Sequence, residues 1–155
     1  MTQTTTIAPR RIALGSAAIV LGGVLVIVGS LLTWARASMI LSSPITFAGT
    51  AVPIGKVTAA LGLVIAMGGV AVHLPQRRRA ARIATRLSSL AVLFVGVLNV
   101  IDLSNLTERA HAANVYVTRV AVGEGLYVLL VGALLGGVGL FLDGRSTSVT
   151  EELGR

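Results

Sequence analysis

Few side chains in this 155-residue chain could do chemistry: six acids, two histidines, one lysine and no cysteine. Asp102 is the first to consider. Ser88, Ser89, Gly96, Asn99 and Asp102 share one arc of ~140° if their segment is helical at ~100° per residue. A carboxylate on such an arc could bind a ligand or carry a proton. Near an interface, where water reaches it, it would instead form a structural ion pair. Lys56 is the expected partner, because a cation at the amino end of a helix is disfavoured by the macrodipole and gains from a nearby acid. Glu124 opens another apolar run, where the same dipole favours a carboxylate, so a capping role competes with a site role. Arg36, Arg109 and Arg119 are alternative partners for either acid. Lys56, Asn99, Asp102 and Glu124 therefore form the candidate ligand or ion-pair site, with Asn99 expected to hydrogen-bond beneath the charges.

Without cysteine there are no thiolate metal sites, disulfides or paired-thiol redox centres. No nucleophile–base–acid arrangement is evident, and neither a metal nor another cofactor is expected. An enzyme acting at a membrane surface through Asp102, Glu124 or His111 ranks behind non-enzymatic readings.

The elements that must position these residues are membrane helices. Apolar residues make up 54% of the chain and charged ones 12%, against about 25% charged in an average soluble domain. Residues 12–33 form an uncharged run whose ~33 Å of helix exceeds a hydrocarbon core of about 30 Å. A signal peptide is the competing reading, with Arg10 and Arg11 before the run and Ala35-Arg36-Ala37 after it, but the run exceeds a signal h-region of about 7–15 residues. The expected fold is an all-α, four-helix transmembrane bundle over residues 12–143, with helices near 12–34, 55–74, 83–103 and 123–142. Residues 1–11 and 144–155 are polar tails expected to be disordered. Short alternating stretches, including Val115, Val117, Val120 and Val122, could form a small β cap on the outer loops.

Orientation follows from arginine. Twelve of the thirteen basic residues are arginine, and nine of the thirteen fall on the side of the termini and the connection between the second and third helices. The positive-inside rule places that side in the cytoplasm, so the chain is expected in a bacterial plasma membrane with both termini inside. Trp34, Tyr116 and Tyr127 then lie near the outer interface. His73 and His111 fall on opposite sides, so they cannot share one metal or haem. Arg78, Arg82 and Arg86, at spacing four, make a stripe that anionic head groups would attract, although topology alone explains them too. A pI near 11.5 would suggest nucleic acid on a soluble protein. Here the charge flanks apolar runs, and no nucleic-acid partner is expected.

Glycine spacing is the most informative pattern. Gly15, Gly22 and Gly29, then Gly55, Gly62 and Gly69, then Gly125, Gly132 and Gly139 each recur every seven residues, with Gly96 in a weaker third-helix version. A heptad of small residues keeps close to one stripe and suits left-handed packing at about +20°. These glycines are expected to be helix-packing positions, whereas Val26 should tolerate leucine. The second and fourth helices align at an offset of 70, suggesting two tandem helical hairpins.

Leu31-Leu32-Thr33-Trp34, a short loop with Thr46-Phe47-Ala48-Gly49, and Gly55 opening a Gly/Ala/Leu-rich helix carry a resemblance. The chain resembles the small four-helix membrane proteins of actinobacteria known as Trp-associated or Trp-region conserved membrane proteins. That group is largely uncharacterised, and the resemblance implies no catalytic residues. The leading expectation is a non-enzymatic accessory or scaffold subunit, packing through its glycine faces against a protein partner or its own copies and contacting lipids. The alternative is a small transporter or ligand-binding subunit using Asn99, Asp102 and Lys56.

Overall fold

The computed structural model describes residues 8–39, 43, 45–74, 78–112 and 117–152. Four helices, α1 (Ala8–Leu31), α2 (Pro53–Ala71), α3 (Arg78–Ala112) and α4 (Glu124–Glu152), alternate up and down. All four are long and apolar enough to cross a membrane, over Ala13–Leu31, Pro53–Ala71, Arg79–Leu103 and Glu124–Leu142. A three-stranded antiparallel sheet of order β2-β1-β3 sits at the end opposite the termini, built from β1 (Thr33–Met39), β2 (Ile45–Ala48) and β3 (Val117–Val122). The all-α membrane bundle with a small β cap is the architecture found.

The helices form a ring in which α1 touches α2 and α4, and α3 closes the circuit between them. Ile19, Val26, Ile65, Val92, Leu126, Leu129 and Ala133 are fully buried inside it. Outward-facing residues such as Leu14, Met67, Leu87, Phe94 and Val131 are apolar and exposed, the pattern of a bundle solvated by lipid rather than water.

Helix ends differ from the sequence expectation for identifiable reasons. The first helix stops at Leu31, so Thr33 and Trp34 belong to β1. α2 starts two residues before Gly55, with Pro53 in its first turn, where the missing N–H costs nothing. α3 has 35 residues, ~52 Å at 1.5 Å per residue, and continues to Ala112, past the apolar span that ends at Leu103. α1 begins at Ala8, and α4 continues to Glu152, through most of what was expected to be a disordered tail. Gly144 does not stop it, because one glycine costs only about 1 kcal/mol in a helix interior.

The tandem-hairpin expectation meets an asymmetry. Among the described residues, the first half carries two strands and a 3₁₀ turn (Gly49–Ala51) between its helices, while the second carries β3. Residues 1–7, Arg77, Tyr116 and 153–155, used in the tail, topology and interface expectations, lie outside the described residues, as do the side chains of Arg78, Arg109, His111 and Arg119.

Candidate functional site

The expected outer-end residues are dispersed. Counting along the antiparallel helices from the Gly68–Thr85 contact places Pro53 opposite Val100, and from the Gly136–Ser89 contact Glu124 opposite Ile101. Asp102 therefore stands just past the ends of both flanking helices, which is why it is exposed while Ser88, Ser89 and Gly96 on the same arc are buried. Asn99 is half-buried, and its amide donates to the Val95 carbonyl of its own helix at 2.8 Å rather than to a neighbouring charge. Leu98, Asn99, Ile101, Asp102 and Asn105, all of α3, are the described residues that line an open groove of about 370 Å³.

Lys56 is exposed in the first turn of α2, and the same counting sets it opposite Val97, below Asp102. No Lys56–Asp102 ion pair occurs among the described residues. The pair that does occur is Arg36–Glu124: one guanidinium nitrogen, Nη2, donates to Oε1 at 2.7 Å and to Oε2 at 2.6 Å. It joins β1 to the start of α4, and both side chains are half exposed. Glu124 is thus both a first-turn acid and an ion-pair partner, using one of the alternative bases. His73 is tied to α1 through a 2.9 Å hydrogen bond between Nε2 and Ser16 Oγ. Among the described residues no cluster of three or more His, Asp or Glu could hold a metal.

The structure gathers the glycines instead. An added Cβ at Gly22 would lie 2.6 Å from the Gly132 carbonyl oxygen, and one at Gly132 2.7 Å from that of Gly22. Gly29 and Gly125 stand in the same mutual relation at 2.8 and 2.7 Å, and a Cβ on Gly139 would meet Gly15 O at 2.7 Å. The stripes of α1 and α4 are therefore set against each other, backbone on backbone. The α2 stripe behaves differently. Gly62 and Gly69 receive Val26, Ile27, Ile19 and Val20, while Gly55 lies beneath the Gly49 backbone. The glycine of α1 that meets α2 is Gly23, against Gly62 and Ala66, a position outside the heptad register. Gly96 abuts the tips of Leu129 and Leu130.

Val26 is fully buried with its Cγ1 beside Gly62, which weighs against the expectation that leucine is tolerated there. Four residues are one turn plus ~40°, so Val26 shares the face of Gly22.

Two polar arrangements escaped sequence reasoning. Ser30 Oγ and Thr58 Oγ1, both fully buried, approach to 3.0 Å between α1 and α2. They also reach Val26 O at 2.8 Å and Gly55 O at 2.9 Å. Two hydroxyl protons serve three contacts, so one hydroxyl must donate across the interface or leave two oxygens facing each other. Their only signal in the sequence is a small hydroxyl beside Gly29 and another three residues after Gly55.

The other is Trp34, which is buried within the protein at the sheet end of the bundle. The β1–β2 register shifts between Thr33 and Ala35, leaving Trp34 as the extra residue of a bulge, a geometry that re-aims a side chain. Its indole turns down onto Gly49, and Nε1 donates to the Gly29 carbonyl at 2.9 Å. That carbonyl belongs to the last turn of α1 and has no helical donor. Gly49 N caps Leu32 O at 3.0 Å, and Gly123 N bonds Trp34 O at 2.7 Å, so the ends of three helices meet at this residue.

Comparison with protein-family models, curated proteins and solved structures gives no significant match to any of the three.

Proposed function

We propose that this chain is a non-enzymatic integral membrane protein, an accessory or scaffold subunit of a bacterial plasma membrane with both termini in the cytoplasm. One observation supports this reading above others: side chains and glycine contacts close the interior of the bundle, while the described groove of Asn99 and Asp102 at the outer end is open. Of the two helices that expose most, α2 has 33% and α3 28% of its span buried, leaving wide apolar faces for lipid and a partner helix. Arginines on the terminal side attract anionic head groups. The resemblance to actinobacterial Trp-associated membrane proteins accords with this role.

Gentle extraction from native membranes, followed by size and mass-spectrometric analysis, tests the proposal. A larger protein retained in stoichiometric amount is the expected result. A lone monomer would overturn it and favour a small transporter or ligand-binding subunit at the α3 groove of Asn99 and Asp102, with Lys56 nearby. That second reading requires pH-dependent uptake to be lost in Asp102→Asn while folding is kept.

A further inference from the structure

Gly137 is unlike the other helix glycines. It lies next to Gly136 on α4, yet a Cβ placed on it would meet nothing within 4 Å. Its missing side chain opens space instead of admitting a neighbouring helix. That space is a groove of about 320 Å³ between α3 and α4, lined by Arg86, Ser89, Leu90, Leu93, Gly137 and Phe141, with Leu140 beneath. Its size falls at the lower end of ligand-pocket volumes, about 300–1,000 Å³.

The lining has a polarity order. Arg86 stands exposed at the end near the termini and forms no ion pair among the described residues. Ser89 is one turn deeper and only 3% exposed, and its Oγ has no hydrogen-bond partner. A buried hydroxyl without a partner is costly and so favours an acceptor that arrives. Beyond it, Leu90 and Leu93 make the α3 wall apolar, while Phe141 of α4 stands opposite Ala84, beside Arg86. Cation, hydroxyl donor and hydrocarbon wall follow one another along the membrane normal, the order of phosphate, ester carbonyl and acyl chain in a phospholipid.

We propose that this groove holds one anionic phospholipid of the leaflet on the side of the termini, its phosphate at Arg86, its ester region seated over Gly137 beside Ser89 and an acyl chain running past Leu90 toward Leu93. The groove faces the bilayer and fills whether or not the chain has a protein partner. A single arginine near the surface favours an anionic over a zwitterionic lipid by about fivefold.

The test is native mass spectrometry of the full purified chain with equimolar phosphatidylglycerol and phosphatidylcholine. One retained phosphatidylglycerol is expected, at about five times the phosphatidylcholine adduct. Arg86→Gln should bring that ratio close to one. Gly137→Leu should remove the adduct of either lipid without lowering the melting temperature, since it fills empty space. Arg79→Gln, exposed at the same end but outside the groove, should change neither ratio nor retention. If lipid retention ignores both Arg86→Gln and Gly137→Leu, or Arg79→Gln lowers it as much as Arg86→Gln, the attraction is diffuse and the site does not exist. If Gly137→Leu unfolds the protein, the groove is not open space, which overturns the proposal as well.

Discussion

The α1–α4 and α3–α4 interfaces share a helix and use its glycines in opposite ways. Against α1, glycines 125, 132 and 139 bring backbone to backbone, and 44% of each of these two spans is buried. Against α3, a Cβ on Gly136 would come only to a side-chain tip, Ser89 Oγ at 3.3 Å, one on Gly137 would meet nothing within 4 Å, and only 28% of the α3 span is buried. In lipid the contrast is energetic. Leucine burial drives little association there, so dispersion from close backbones carries the tight interface and is forfeited at the open one. A glycine in a membrane helix can thus be a contact or a gap, and composition does not say which.

Substitution at the seam should give the largest effect. Gly22→Leu or Gly132→Leu drives side-chain atoms into an opposing carbonyl that cannot rotate away, and should cost about 3 kcal/mol or more in reversible detergent unfolding. Wild-type stability in both would show that the helices are not held by this seam. Trp34→Phe keeps the ring but removes the donor to Gly29 O, and a loss of about 1 kcal/mol is expected. A double-mutant cycle with Ser30→Ala and Thr58→Val should read a coupling of about 0.6 kcal/mol, the usual size for a hydrogen bond between membrane helices. Zero coupling would mean that both hydroxyls bond only to their own helices. Gly137→Ala tests the open side and should not destabilise, since the methyl meets nothing and alanine gains up to about 1 kcal/mol over glycine in a helix. Arg36→Gln removes a half-exposed pair and should leave the unfolding midpoint where it is, because surface pairs hold little net energy.

Much of the fold was legible in the residues. Four apolar runs of membrane length are set by hydropathy alone, since an unpaired backbone cannot sit in hydrocarbon and each run must be helical. The outer strands announced themselves by short alternating segments near Ile45 and Val117. The candidate site was less legible. Sequence could place Asp102 on the same arc as Ser89, but not show that both flanking helices end below it. Arg36 and Glu124 are 88 residues apart, so their pairing depends on the packing of α1 and β1 beside α4.

By itself, the sequence determined the number of crossings, the clustering of arginine at one end and the heptad spacing of glycine, all of which are properties of local covalent order and transfer energy. Tertiary structure alone decided which stripe meets which. The stripe of α1 turned to α4, while α2 met α1 through Gly23 and Ala66. It also turned Trp34 inward through a bulge whose register depends on β2. The reason is that a seven-residue repeat specifies a face on one helix, whereas a contact needs two faces at the same depth. Depth is set by where each helix begins, how long it runs and which neighbour the ring provides.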